Sequence, residues 1–176
     1  YVNLEPCSHH GKTPPCVDLL LKHRLKRVVI GSLDPNPMVA GTGVARLQEN
    51  HCEIRVGVLE KECAEINRRF FKYHTQKRPY IVLKWAESQD GYIAPTSTTK
   101  ERGVFWLSDS FSQQLVHQWR SEEQAILVGI NTVKADNPKL NVRKWKGKNP
   151  IPIILDPSRK LNADDALFHH QQLIHI

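Results

Sequence analysis

Apolar residues recur along this chain in short blocks, and the blocks alternate between strand-like and helix-like spacing. Tyr1–Leu4 reads as a strand and is followed by a loop dense in Cys, His, Gly and Pro. Pro14 and Pro15 suit the first turn of a helix whose apolar stripe is Val17, Leu20 and Leu21. Arg27–Ile30 is a short buried-strand signal, stopped by Gly31 and the turn-rich Asp34-Pro35-Asn36-Pro37. Gly43–Asn50 predicts a helix and Glu53–Val58 alternates like a strand. Glu60–Tyr73 carries helical spacing through Cys63, Ile66, Phe70 and Tyr73. Strand and helix therefore alternate, which predicts a parallel or mixed sheet with covering helices.

Thr75–Pro79 is polar and basic and ends in a proline, which places a domain boundary there and divides the chain into residues 1–77 and 78–176. Beyond it the pattern predicts a strand over Tyr80–Trp85 and a turn at Asp90-Gly91 before Tyr92–Ala94. A helix over Ser110–Ser121 and a buried strand over Ala125–Val128 follow. Asn131–Pro138 reads as a functional loop or short helix, and Ile151–Leu155 as an apolar strand. The second half is again α/β. The chain opens on what reads as the middle of a strand and closes on the strand-like run Leu173–Ile176, so the expectation is a piece of a longer protein, cut at both ends.

Composition narrows the class. At 176 residues the chain makes one ordinary domain or two small ones, and its 24% charged and 40% hydrophobic residues fit a globular protein. No apolar run approaches the roughly 20 residues of a bilayer span, and no basic start precedes an apolar stretch as in a signal peptide. Cysteines at 7, 16, 52 and 63 are too few for a disulfide scaffold, which points to a reducing cytoplasm. The net charge of +7 divides into +4 for residues 1–77 and +3 for 78–176, with a denser stretch from Lys139 to Lys148. Such a surface suits nucleic acid or phosphorylated small molecules, and composition does not separate the two.

The densest chemistry lies in Glu5-Pro6-Cys7-Ser8-His9-His10-Gly11-Lys12-Thr13-Pro14-Pro15-Cys16. Two thiolates across a Gly/Pro loop can hold zinc. With the second at a helix start, the positive helix end is expected to lower the Cys16 pKa. Taken alone, a Cys pair at this separation also reads as two buried thiols, with His9 and His10 as loop histidines. The whole string, together with Asp34-Pro35-Asn36-Pro37 and Val39-Ala40-Gly41-Thr42-Gly43, resembles the deaminase domain of the bifunctional deaminase/reductase family of riboflavin biosynthesis. Most zinc deaminases have only two residues between their cysteines. The resemblance implies hydrolytic removal of an amine from a phosphoribosylated pyrimidine. Cys7 and Cys16 become ligands of Zn2+, Lys12 and Asn36 substrate contacts, and His9 a weaker candidate. The family's third ligand and catalytic Glu sit in an upstream His-Ala-Glu segment that has no match here, so no deaminase acid/base is assigned and this chain is expected to be inactive in that step. Cys52 and Cys63 match nothing in the metal site and are assigned to the core.

From Arg78 onward the resemblance continues into the family's reductase domain. It rests on Lys84-Trp85-Ala86-Glu87-Ser88-Gln89-Asp90-Gly91, on Trp106-Leu107-Ser108, and on Ala125–Val133 followed by Ala135-Asp136-Asn137-Pro138-Lys139-Leu140-Asn141-Val142-Arg143. The implied fold is the C-terminal part of a cytidine-deaminase-like three-layer α/β domain followed by the N-terminal part of a dihydrofolate-reductase-like domain. The implied chemistry is hydride transfer from NADPH that turns a ribosylamino group into a ribitylamino group. Ala86, Trp106, Thr132 and Asp136 would line the cofactor. Arg120, Leu140 and Arg143 would meet the substrate, the two arginines at its phosphate, and Lys84 is a candidate for assisting proton transfer. Two residues before Trp106 the family commonly places a serine that contacts substrate. Here it is Val104, so that contact is lost or made by the backbone. A glycine-rich cofactor segment and a late acidic contact are expected beyond Ile176.

Two other readings compete. A nucleic-acid deaminase of the tRNA type shares the first domain's fold and accounts for the basic charge, but the long Cys spacing and the reductase-like second half oppose it. A non-catalytic remnant fits the missing His-Ala-Glu segment, but the Cys7 and Asp136 motifs are too intact for drift. The resemblance thus favours a phosphorylated pyrimidine over nucleic acid or membrane as partner, and a homo-oligomeric assembly.

Overall fold

Parallel strands need a crossover between them, and the predicted alternation of strands and helices supplies one each time. The computed structural model describes residues 1–94, 104–170 and 172–176. The chain separates into two compact units, Tyr1–Leu83 and Lys84–Ile176. In the first, β1 (Val2–Leu4), β2 (Arg27–Ser32) and β3 (Glu53–Val56) form a parallel sheet in the order β1-β2-β3. Val2 stands opposite Ile30, and Val28 opposite Ile54. Crossovers run through α1 (Cys16–Lys22) and α2 (Thr42–Glu49). The central strand β2 is buried from Val28 to Ser32, as a strand flanked on both sides and covered on its faces should be. Val17, Val28, Ile30, Leu47 and Cys52 make its core, with Leu20 and Leu21 packed against it, so the α1 stripe points inward.

The single helix expected over Glu60–Tyr73 is two, α3 (Glu60–Ile66) and α4 (Arg68–Gln76). Asn67 makes the break. Its backbone N–H and its side-chain Nδ2 both donate to the Cys63 carbonyl, at 3.2 and 2.8 Å, while its φ and ψ of −98° and 16° leave the helical region. Asparagine competes with the helix for backbone partners, and periodicity alone does not register this.

In the second unit β4 (Ala125–Gly129), β5 (Ile151–Leu155) and β6 (Ile174–His175) form another parallel sheet, in the order β4-β5-β6. The helix α5 (Ser110–Glu122) starts at Asp109, whose carboxylate accepts the Ser112 N–H at 2.8 Å. The motif after β4 folds as α6 (Ile130–Asp136), and a short 3-10 helix spans Ala166–His169. Ile130, Val133, Leu140, Ile154 and Leu167 form the core. Two fully buried carboxylates order the loops around it. Asp156 accepts the backbone N–H groups of Lys160 and Leu161 at 3.0 and 2.9 Å and lies 3.0 Å from His175 Nε2. Burial alone would raise its pKa, but those bonds outweigh burial and hold it below the usual carboxylate range. Asp165 takes Lys134 Nζ at 2.8 Å and the Asn162 N–H at 3.0 Å.

The strand expected over Tyr80–Trp85 is not formed among the described residues, and Tyr92–Ala94 forms none either. Ile81, Val82, Leu83 and Trp85 are exposed, and no backbone ladder pairs with them. A run of strand-favouring side chains becomes a strand only where a neighbour accepts its N–H and C=O groups. The turn between the two segments does form. Gly91 has a φ of 84° and donates to the Ser88 carbonyl at 2.9 Å. No described helix is long and apolar enough to cross a membrane.

Candidate functional site

The loop between β1 and α1 brings Cys7 and Cys16 together. The Cys16 N–H donates to Cys7 Sγ at 3.3 Å, and the Val17 N–H donates to the Cys7 carbonyl at 3.2 Å, so the start of α1 is pinned on Cys7. The expectation that the helix start lowers the Cys16 pKa is corrected. Its thiol is raised, first by the hydrogen bond to the Cys7 side chain, then by burial and by the charge of Cys7 itself. A seven-residue helix contributes little against a sulfur that close. Two thiols suit zinc by donor chemistry, but no group of three or more His, Cys, Asp or Glu that could hold a metal exists among the described residues. Two thiols would fill at most two positions of a tetrahedral site. Next to them, His9 Nδ1 is buried without a hydrogen-bond partner among the described residues.

Lys12 is exposed in the loop. Asn36 is half-buried in the turn after β2, where its Oδ1 accepts the Met38 N–H at 3.2 Å and its own N–H donates to Asp34 Oδ1 at 2.8 Å. What connects this turn to the cysteine loop is Glu5, the first residue of the Cys-rich string. Its side chain is 4% exposed. Oε2 accepts the N–H groups of Asp34 and Gly41 at 3.2 and 2.9 Å, and Oε1 those of Gly43 and Val44 at 3.0 and 3.2 Å. A carboxylate here satisfies the free N–H groups that open α2 and meets the positive end of that helix. Gly41 caps the helix at φ 80°, and a Cβ on Gly43 would lie 2.0 Å from the Pro6 carbonyl oxygen. The sequence signal was present in those two glycines, but nothing local ties them to Glu5.

In the second unit, α5 faces the loop that follows α6. Arg120 Nη1 donates to the Asn141 carbonyl at 2.8 Å, and Arg143 Nη1 to Asn141 Oδ1 at 3.1 Å, so the two guanidiniums meet at one residue. Burial, and after it the charge of Arg143, lower the Arg120 pKa, and Arg120 Nε is buried with no partner among the described residues. No carboxylate pairs with either arginine among the described residues. Lys144 adds a third cation, with Nζ bonded to Gln113 Oε1 and 5.8 Å from the Trp106 ring centre. His117, which the sequence did not point to, is 3% exposed and accepts the Arg143 N–H on Nδ1 at 3.2 Å. Its pKa is pushed down to about 4 by burial first and then by Arg120, Arg143 and Lys144.

Leu140 is buried in the core with a φ of 49°, so its side chain serves packing and only its backbone is free to face a ligand. The loop it begins is held by Asn137 Oδ1, which accepts the Ala166 N–H at 2.7 Å. Thr132 is exposed on α6, and Asp136, half-buried with a pKa raised by burial, lies one turn further along. These give a hydroxyl and a carboxyl on one helix face, groups that fit the hydroxyls of a nucleotide's ribose. Lys84, Val104 and Trp106 are exposed and Ala86 is half-buried. Of these four, only Trp106 touches the arginine cluster, through Lys144.

Comparison with known proteins adds the following. Residues 79–175 match the family model described as the RibD C-terminal domain. The riboflavin biosynthesis protein RibD of Aquifex aeolicus is 44% identical over an alignment of 174 positions that covers 94% of this chain and 48% of that protein. The protein of the same name from Actinobacillus pleuropneumoniae is 44% identical over 167 residues, 95% of this chain and 43% of that protein. A crystal structure of a diaminohydroxyphosphoribosylaminopyrimidine deaminase/5-amino-6-(5-phosphoribosylamino)uracil reductase from Thermotoga maritima aligns with a TM-score of 0.85 at 40% identity, over 97% of this chain and 48% of that one. The chain thus spans about half the length of the curated relatives it matches.

Proposed function

The chain belongs to the RibD family of riboflavin biosynthesis proteins, and from that premise we propose that its second unit binds the phosphate of a phosphoribosylaminopyrimidine for reduction of the ribosyl group to a ribityl chain. The observation that carries this reading is the pair Arg120 and Arg143. A half-buried guanidinium with an unpartnered Nε, beside a second cation and without a carboxylate among the described residues, is costly unless an anion completes it. A phosphate monoester offers the charge and the acceptor oxygens that this cluster lacks.

NADPH, when bound, supplies the hydride. Thr132 and Asp136 would contact it from one face of α6, with Ala86 and Trp106 beside it. The chain's own contribution is to orient the sugar by its phosphate, so that one carbon is presented to the donor. Val104, where relatives of this family commonly have serine, offers no hydroxyl to the substrate, and Lys84 would be the candidate for assisting proton transfer.

The first unit belongs, on the same reading, to the deaminase half of such an enzyme. Cys7 and Cys16 would be its zinc thiolates, and Lys12 and Asn36 would contact the phosphoribosyl pyrimidine. The described residues would supply two of the metal's ligands.

The test is titration calorimetry of this chain with ribose 5-phosphate. Wild type should bind, and Arg120→Met or Arg143→Met should weaken binding by about tenfold or more, the cost of losing one charge-assisted contact. Binding that is absent in wild type, or unchanged in both variants, refutes the phosphate assignment.

A further inference from the structure

The α5 helix presents three polar side chains to the loop Leu140–Lys144, and each takes a different partner on it. Gln113 takes Lys144, His117 takes the backbone of Arg143, and Arg120 takes the carbonyl of Asn141. Asn149 Oδ1 closes the loop from its other end by accepting the Val142 N–H at 2.8 Å. Two of the α5 bonds are made by side chains that also carry or neighbour a cation of the anion cluster. The middle one is different, because a 3%-exposed imidazole is bonded to main chain. An imidazole has an acceptor nitrogen only when neutral, so His117 must be in the tautomer with its proton on Nε2.

Resting on the phosphate reading above, we propose that His117 is a positioning residue for that site: by accepting the Arg143 N–H on Nδ1, it fixes the loop backbone and thereby the direction in which the Arg143 and Arg120 guanidiniums converge at Asn141. The cations that surround His117 are Arg120 on its own helix and Arg143 and Lys144 on the loop. They oppose its protonation and so preserve the acceptor the loop requires. The arrangement is reciprocal, since the cluster keeps the imidazole neutral and the neutral imidazole holds the cluster together. An extra cation at this position would both break the bond to Arg143 and repel the two arginines.

The probe is again ribose 5-phosphate, titrated into the whole chain. In His117→Asn the amide oxygen replaces Nδ1 as an acceptor of similar reach, whereas in His117→Gln it extends past that point. His117→Leu keeps bulk and removes the acceptor. Affinity should stay within about threefold of wild type in the Asn variant and fall about tenfold in the Gln and Leu variants, at matched folded content by circular dichroism. If the Leu variant does not fold, the comparison of Asn with Gln carries the test. Wild-type imidazole 15N shifts should also report the Nε2–H tautomer at about pH 5.5, where an ordinary histidine is mostly protonated. Equal affinity in all three variants, or equal loss in Asn and Gln, overturns the positioning role, and so does a protonated imidazole at that pH. Wild type that fails to bind, with Arg120→Met no different, overturns the phosphate reading itself, which the variant series at His117 then cannot rescue.

Discussion

Replacing Glu5 by glutamine changes one oxygen to an amide nitrogen and nearly nothing in size. Each carboxylate oxygen of Glu5 accepts two backbone N–H groups, from Asp34 and Gly41 on one side and from Gly43 and Val44 on the other. Whichever way the new amide turns, its nitrogen faces two donors and leaves them stranded. A buried donor without a partner costs about 1–3 kcal/mol, and the site loses a charged acceptor as well. The expected loss is therefore about 3 kcal/mol for the unit Tyr1–Leu83. For a domain of that size this lowers the melting temperature by more than about 10 °C. The assay is urea and thermal unfolding followed by far-ultraviolet circular dichroism, with amide hydrogen exchange of residues 34–44 measured in parallel. Exchange should accelerate at Asp34, Gly41, Gly43 and Val44 and leave β5 unchanged. A loss under about 0.5 kcal/mol, the scale of an ordinary surface substitution, with exchange unaltered, would refute the claim that Glu5 holds this loop.

Acid should destabilise the second unit through His117. Its folded pKa of about 4 lies below the ordinary value of 6.5, so between these pH values the unfolded chain holds the extra proton. Stability then rises with pH across that window and is lost as pH falls from 6.5 toward 4, by up to about 3 kcal/mol. Urea titrations of wild type at the two ends should show this dependence, and His117→Asn should flatten it. A wild-type stability that does not change over the window would contradict the buried neutral imidazole. At the other site, Co2+ added to the chain should produce thiolate-to-metal charge-transfer absorption in wild type and none in Cys7→Ser. Identical spectra for the two would show that Cys7 and Cys16 do not act as a metal-binding pair.

Much of the architecture was legible wherever the signal is local. The α1 stripe, the buried blocks of β2 and β5, and the Pro and Gly punctuation between them mark elements whose periodicity and breakers lie within a few residues. The strings around Cys7 and Asp136 carried the family resemblance, because a motif is a property of the chain itself. Family membership is shown by the match over residues 79–175, which includes the Asp136 string and not the Cys7 one.

Most of the rest was decided by partners far away in sequence, the exception being Asn67, whose partner lies four residues back. Tyr80–Trp85 has every strand-favouring side chain and forms no strand among the described residues, because a ladder is supplied by a neighbour and never by the segment alone. Asn67 splits a helix that periodicity joins, because its side chain and its backbone reach the same carbonyl. Glu5 and His117 look unremarkable in the sequence. The first acquires its role from N–H groups on a turn and helix that close over it, and the second from a loop backbone that α5 meets only after folding. Residue types determined which chemistry this protein can offer. Only the tertiary structure decided which groups share a low-dielectric space, where an unmatched donor or charge is costly enough to dictate what must stand beside it.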